Sequence, residues 1–437
     1  MIEKEALSEI ILDYRENELP PFLIKRELQK DINLKIPLQR ATTILGPRRS
    51  GKTYLLYSLI KELKNRGIEK ERTLYINFEN PKLVAMDLED LTLLMETFYE
   101  IYPDNKKQKI WLFFDEIQII DHWEIFIRNI LDRRNAYVFI SGSSSKLLSG
   151  EIATSLRGRT LDYLMLPFSF KEFLILKNID FPDFISSEKK AKIIHAFKEY
   201  FSLGGYPELL IYPKERKRMI NEIIEVTIFR DLIERHKIRN IKVVKLMFNY
   251  LMKGKEFSVH KFFNFLKSLN IKVSKNSLYN YLEYFHDAFI FFPLRKFSWT
   301  IKNIEQSISK IYSIDNGLIE SIIGDERGIK LENIVFLSLL RKGFRTNKEL
   351  FYYHSIHEEV DFLIKKGKKI TALIQSCYDL SDYKTKEREI KALVNASNKF
   401  NCSNLFIITS NVEDEIKIKD KKIIIIPAWK FLLKTYL

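Results

Sequence analysis

The chain has 437 residues and a mass of 52.0 kDa, enough for two to four domains. Its 46% hydrophobic and 30% charged residues are those of a soluble globular protein, and no apolar run approaches the roughly 20 residues of a spanning helix. Lys and Arg number 72 against 57 Asp and Glu, a net charge of +15 that favours a polyanionic partner, with a merely basic surface as the plainer explanation.

Only two cysteines occur, Cys377 and Cys402, so a disulfide framework is excluded and a reducing, cytoplasmic setting is expected. The charged start, Met1-Ile2-Glu3-Lys4-Glu5-Ala6, shows no signal-peptide core.

Residues 1–40 read as a helical lead-in broken at Pro20-Pro21. Within it, 22–28 either packs near a nucleotide base or serves as a linker. The apolar run Thr42-Thr43-Ile44-Leu45 then reads as a strand. It leads into Gly46-Pro47-Arg48-Arg49-Ser50-Gly51-Lys52-Thr53, and a helical segment follows from Tyr54. This is the G-x-x-x-x-G-K-T pattern in its proper strand–loop–helix setting. Glycines let the backbone N–H groups turn inward on phosphates, and the helix N-terminus adds partial positive charge. The pattern predicts ATP binding by residues 46–53, with Lys52 on the β- and γ-phosphates and the Thr53 hydroxyl on Mg²⁺.

A second strand is expected at Thr73–Phe78. A helix is expected over 83–101, where Leu88, Leu91, Leu94, Met95 and Phe98 fall on one face. The third strand, Ile110-Trp111-Leu112-Phe113-Phe114-Asp115-Glu116, is a buried apolar run ending in two carboxylates. Ligand chemistry collects at the carboxyl ends of such strands. Asp115 is expected to bind Mg²⁺ and Glu116 to polarise the attacking water, capping of the turn being the plainer role. A fourth strand, Ala136–Ile140, ends in Ser141-Gly142-Ser143-Ser144-Ser145, where a hydroxyl either orients the water or caps a helix. In Leu156-Arg157-Gly158-Arg159, either arginine reads as a finger toward a neighbouring subunit, a sensor in its own chain, or a surface charge.

Several stretches recur together in this order: Gly46–Thr53, Phe113–Gln118 with Trp123, Ser141–Ser144, Arg157-Gly158-Arg159, Leu166–Phe173 and Gly204-Gly205-Tyr206-Pro207. Together they resemble the prokaryotic, mainly archaeal, AAA-like ATPases whose C-terminal region is a domain of unknown function. The resemblance covers nearly the whole chain. It implies an AAA-type P-loop core over 1–170 and a helical lid over 171–240. It also implies a sensor-like role for Ser143 and a Gly-Arg element at Arg157 and Arg159.

Residues 241–305 read as a winged helix. Ser274 caps a helix whose apolar positions are Leu278, Leu282 and Phe285, leaving Lys275, Asn276, Tyr279 and Asn280 on the other face. Phe291–Phe297, with Arg295 and Lys296, reads as the wing hairpin. Ten basic residues stand against three acidic ones between 241 and 300. That excess suits a helix in a duplex DNA groove with basic residues on phosphates, or else a module used only for packing. Residues 306–437 resemble the restriction-endonuclease-like fold, with Glu332 and Asp361 in its first two active-site places. The third place reads Gln375-Ser376-Cys377, which lacks the Glu and Lys of that site. Lys386 or Arg388 are substitutes for the lysine, and an inactive, structural or DNA-binding module is the expectation. His354 and His357 read as loop histidines, and no zinc signature is present.

The fold class expected is therefore α/β: a parallel P-loop sheet with a helical lid, a winged helix and a nuclease-like α/β domain. The expected function is an ATPase with ATP and Mg²⁺ as cofactors, acting on double-stranded DNA. Self-assembly is possible on this reading, and no membrane is involved. A nucleotide-dependent signalling switch with a protein partner, and an ATP-dependent nuclease, are the alternatives.

Overall fold

The computed structural model describes residues 2–437 except 22, 37–38, 144–155, 157, 183–185, 255 and 357. It divides into two compact units, Met1–Leu166 and Pro167–Leu437. Arg157, Ser144, Ser145 and His357 fall outside the described residues.

The first unit is a five-stranded sheet with helices. It runs α1 (Lys4–Glu16), β1 (Ala41–Leu45), α2 (Lys52–Asn65), β2 (Thr73–Asn77), α3 (Leu88–Ile101), β3 (Ile110–Asp115), α4 (Trp123–Arg133), β4 (Ala136–Gly142) and β5 (Thr160–Leu164). The order across the sheet is β2-β3-β4-β1-β5, and every neighbouring pair is parallel. β1 and β3 are buried along their whole length, as in a sheet covered on two sides; apolar residues occupy both faces of β3, and β1 buries Thr42 and Thr43 as well. Ile44, Leu55, Leu56, Leu59, Leu63, Trp111, Phe113 and Phe139 pack into one core. α3 begins where Asp87 accepts from the Glu89 and Asp90 amides while Asp90 reaches back, a capping box that fixes its start five residues later than expected. β5 was not foreseen; its Thr-Leu-Asp-Tyr-Leu sequence is that of a half-exposed edge strand.

The second unit begins with helices: α5 (Phe170–Leu176), α6 (Ser187–Leu203), α7 (Pro207–Ile211) and α8 (Arg216–Val226), the last continuing as a π-helix over Thr227–Glu234. Next come α9 (Ile241–Leu251), β6 (Glu256–Phe257), α10 (Val259–Ser268), α11 (Lys275–Asp287) and β7 (Phe291–Arg295). After the short α12 (Ile301–Glu305) follow β8 (Ser309–Ser313), α13 (Asn316–Ile323) and α14 (Arg327–Arg341). The expected hairpin inside Phe291–Phe297 is a single strand. Its partner is β8, and the antiparallel order is β6-β8-β7. The sheet therefore runs across position 305, because Lys310 and Ile311 extend the ladder that β7 begins.

The rest is a six-stranded mixed sheet ordered β13-β14-β12-β11-β10-β9. It comprises β9 (Leu350–His354), β10 (Glu359–Lys366), β11 (Lys369–Ser376), β12 (Leu405–Thr409), β13 (Asp414–Ile418) and β14 (Lys421–Pro427). α15 (Tyr383–Phe400) and α16 (Ala428–Leu433) complete it.

One joint in this unit depends on glycine. The fully buried Asp315 carboxylate accepts the Gly205 N–H at 2.6 Å and the Gly317 N–H at 2.8 Å. A β-carbon on Gly204, whose φ is +77°, would lie 2.0 Å from that carboxylate. Burial pushes the Asp315 carboxyl up to about 6, against the pull of its two amide bonds and of Arg216 and Arg341.

Candidate functional site

The loop after β1 closes so tightly that only glycine fits its first position. A β-carbon on Gly46 would stand 2.2 Å from the Met165 carbonyl oxygen. Gly51, at φ +95°, turns the chain into α2, so the first amides of that helix face the loop. Beneath the loop lies Arg26, which is buried. Its guanidinium donates to the Ser50 carbonyl at 2.8 Å and the Leu166 carbonyl at 2.6 Å, tying the loop to the end of β5. The expectation for 22–28 was base packing or a linker; within that segment Arg26 braces the loop.

β3 sits between β2 and β4, with β1 just beyond β4, so the carboxyl ends of four strands converge near Thr53 and Asp115. The Thr53 hydroxyl donates to Asp115 Oδ2 at 2.7 Å, and the Tyr75 hydroxyl donates to the same oxygen at 2.9 Å. Ser141 donates to Asp115 Oδ1 and accepts the Glu116 N–H at 3.2 Å. Burial raises the Asp115 carboxyl above its ordinary range, while the Ser141 and Thr53 hydroxyls oppose that shift. Two hard oxygen ligands, Thr53 Oγ1 and Asp115 Oδ2, thus lie side by side. That donor set suits Mg²⁺, which keeps most of its shell for water and phosphate.

Glu116 adopts a left-handed backbone, φ +55°, rare for this residue type. The turn aims its carboxylate back over the loop. Oε2 accepts from Gln118 Nε2, from the Ser143 N–H at 3.2 Å and from the Ser143 hydroxyl at 3.1 Å, while Oε1 lies 3.5 Å from Lys52 Nζ. Burial alone would raise this carboxyl, but Lys52, Gln118, Arg48 and Ser143 together hold it below the ordinary range. It is therefore an anion at neutral pH. Lys52 Nζ also donates to the Gly46 and Pro47 carbonyls, at 3.2 and 3.1 Å. Arg48 reaches Glu79 at 3.4 Å.

Five of the expected groups (Lys52, Thr53, Asp115, Glu116 and Ser143) therefore meet at one point. Arg159 does not join them. β5 pairs with β1 in the register Ala41↔Thr160 to Leu45↔Leu164, so Arg159 stands at the amino end of the sheet. At about 3.3 Å per residue it is roughly 20 Å from Gly46, beyond an arginine side chain's reach. The sensor role in its own chain is thereby excluded for Arg159, whose guanidinium pairs with Asp132 at 2.6 Å.

The residues expected on DNA form two groups. Lys275, Asn276, Tyr279 and Asn280 are all exposed on α11, while Leu278, Tyr281 and Phe285 face inward. Ser274 caps the helix by accepting the Ser277 N–H at 3.0 Å. Lys275 Nζ lies 3.0 Å from His260 Nδ1. Arg295 and Lys296 lie at the end of β7, Arg295 in an ion pair with Glu305.

In the tail, Glu332 on α14 and Asp361 on β10 come together, and a lysine absent from the expected set joins them. Lys310 of β8 places Nζ 2.9 Å from Glu332, 2.9 Å from Asp361 and 2.6 Å from Glu359. The Gln375 amide accepts the Asp361 N–H at 3.0 Å and donates to the Glu359 carbonyl at 3.2 Å and to Glu389. Arg388 is exposed and bound to Glu389, so it does not replace the missing lysine. Among the described residues no three His, Cys, Asp or Glu side chains are grouped to hold a metal ion. No helix among them is long and apolar enough to cross a membrane.

Comparison with known proteins agrees with this geometry. A family model described as an AAA domain matches residues 38–174, and a domain of unknown function, DUF8612, matches 194–327. The uncharacterized protein MJ1544 of Methanocaldococcus jannaschii is 42% identical over 448 residues, covering 100% of this chain and 97% of the relative. An uncharacterized protein of Haemophilus influenzae is 30% identical over 334 residues, covering 75% of this chain and 80% of that protein. Two solved structures are distant. Cdc6p from Pyrobaculum aerophilum has 15% identity and a TM-score of 0.28, over 77% of this chain and 98% of that one. AMPPCP-bound DnaA from Aquifex aeolicus has 16% identity and a TM-score of 0.27, over 61% of this chain and 92% of that one. Likeness at that level says nothing about activity here. A relative so close along its whole length places the chain in one family with the Methanocaldococcus protein, and the match over 38–174 makes its P-loop unit an AAA domain.

Proposed function

We propose that the chain binds ATP with Mg²⁺, hydrolyses it, and uses the cycle to change how its basic second unit holds double-stranded DNA. The observation that carries hydrolysis is the setting of Glu116. It is an anion, aimed over the loop by a left-handed turn and held by Gln118 and Ser143, 3.5 Å from the lysine expected on the phosphates. In that position it accepts the proton of the water that attacks the γ-phosphate. Loop amides and Lys52 hold the phosphates. Mg²⁺, held by Thr53 and Asp115, would supply charge neutralisation of the phosphate oxygens. Ser143 keeps the carboxylate in place, a positioning role. The placement of Arg159 far from its own loop favours a finger offered to a neighbouring copy, hence an assembly.

DNA is assigned to the second unit on charge and on the exposed polar face of α11. Four parts compose the molecule on this reading: a core to about 170, a lid to 240, a winged-helix segment that β8 completes, and the nuclease-like tail. The test is ATP turnover with and without duplex DNA at two salt concentrations, for wild type and for a variant with Lys275, Arg295 and Lys296 changed to Ala. Stimulation by DNA that is weakened by salt and by the triple substitution supports the reading. Turnover indifferent to DNA would shift the role to a switch acting on a protein partner.

A further inference from the structure

The carboxylate centre of the tail holds a cation that belongs to the chain itself. Lys310 is buried, and its ammonium touches Glu332, Asp361 and Glu359 at 2.6 to 2.9 Å. The Tyr312 hydroxyl donates to Glu332 at 2.7 Å, and the Ser376 N–H donates to Asp361 Oδ2 at 2.8 Å. Three carboxylates from two elements, α14 and β10, thus converge on one point, and β8 fills it.

The spacing is informative. Charge-assisted N–H···O bonds run about 2.7–2.9 Å, whereas oxygen ligands stand about 2.0–2.1 Å from Mg²⁺. The observed distances are those of an ammonium shell, some 0.7 Å wider than a magnesium shell would be. The carboxylates carry the ammonium well above the ordinary lysine range despite its burial, so it stays charged. Gln375 supplies no charge here; its amide is engaged by the Asp361 N–H, the Glu359 carbonyl and Glu389.

We infer that Lys310 is the resident cation of this centre: its ammonium takes the part that a divalent ion plays in a metal-binding carboxylate cluster, so the tail keeps its carboxylates together without binding metal or cleaving phosphodiesters. The same contacts bind the three-stranded sheet, through β8, to the larger sheet, through β10. The inference does not depend on the DNA reading.

Removing the ammonium leaves three carboxylates facing one another. Such a cluster either takes up protons or recruits a divalent ion. The experiment is Mn²⁺ binding, followed by electron paramagnetic resonance on the full chain without nucleotide. The proteins are wild type, Lys310→Ala, Lys310→Gln and Asp361→Asn, with Lys310→Ala/Asp361→Asn as control. Melting is recorded with EDTA and with Mn²⁺. The expected result is one Mn²⁺ bound by the Lys310 variants above the wild-type level, lost in the control. Their melting temperature should fall in EDTA and recover with Mn²⁺. Lys310→Gln keeps part of the stem and a polar end, and serves as the second variant if Lys310→Ala does not fold. The inference is overturned if wild type binds Mn²⁺ at a site that Asp361→Asn removes, or cleaves DNA with Mg²⁺. It is equally overturned if folded Lys310 variants bind no more Mn²⁺ than wild type.

Discussion

Replacing Tyr75 by Phe removes one oxygen and leaves the buried ring in place, so it isolates a single bond to Asp115. That bond is 2.9 Å long and ends on Oδ2, the oxygen that also accepts from Thr53 at 2.7 Å. For Thr53 to turn its oxygen to a metal, its hydrogen must leave Oδ2. Tyr75 is then the remaining bond at that oxygen, with Ser141 holding the other. A hydrogen bond to a charged group is worth about 1.5–3 kcal/mol. The lower figure corresponds to a roughly tenfold change in an equilibrium constant. Tyr57, whose hydroxyl donates to Tyr75 at 3.3 Å, is half-buried and can turn to water, so its loss adds little. The expected result for Tyr75→Phe is a roughly tenfold rise in the Mg²⁺ concentration giving half-maximal turnover, by the same arithmetic. The maximal rate should change less. Losing the bond also raises the Asp115 carboxyl further, so the defect should deepen as the pH is lowered. Turnover is measured across a Mg²⁺ titration at two pH values with ATP saturating. A folded variant with the wild-type Mg²⁺ dependence would refute the positioning role of Tyr75.

Asp315 makes a pH prediction. Its folded value, about 6, lies above the ordinary 3.8, so the folded chain holds this proton more tightly than the unfolded chain. The group's contribution to stability is complete below about pH 4 and is lost as pH rises through 6, roughly 3 kcal/mol in all. Chemical denaturation between pH 4 and 7 should show this decline in wild type relative to Asp315→Asn, and a constant difference would contradict it. Arg159 makes a prediction about assembly. Lys52→Ala and Arg159→Ala proteins should each be nearly inactive alone and regain turnover when mixed, because one copy then supplies the loop and the other the finger.

Much of the site was legible because it is local. Residues 46–53 carry their chemistry in one continuous turn, and Asp115-Glu116 announce themselves as carboxylates at the end of an apolar strand. What the reading could not supply depends on register. Tyr75 reaches Asp115 only because β2 pairs with β3 so that Asn77 faces Asp115, which sets the phenol two residues behind. Arg26 lies beneath a loop more than twenty positions later in the chain. Lys310 enters the tail's carboxylates from a strand of a different sheet, and no spacing rule links position 310 to 332 and 361. The expected hairpin failed for a related reason: Phe291–Phe297 is apolar enough for one, but its partner strand lies beyond a short helix.

ATP turnover by wild type and Glu116→Gln, with saturating Mg²⁺ and with nucleotide binding measured alongside, tests the central claim most directly. The account predicts that the variant binds ATP as wild type does and turns over about 10²–10⁴ times more slowly, the usual worth of a positioned general base. Equal turnover in the two proteins would contradict it, because the carboxylate held by Lys52, Gln118 and Ser143 would then have no part in hydrolysis.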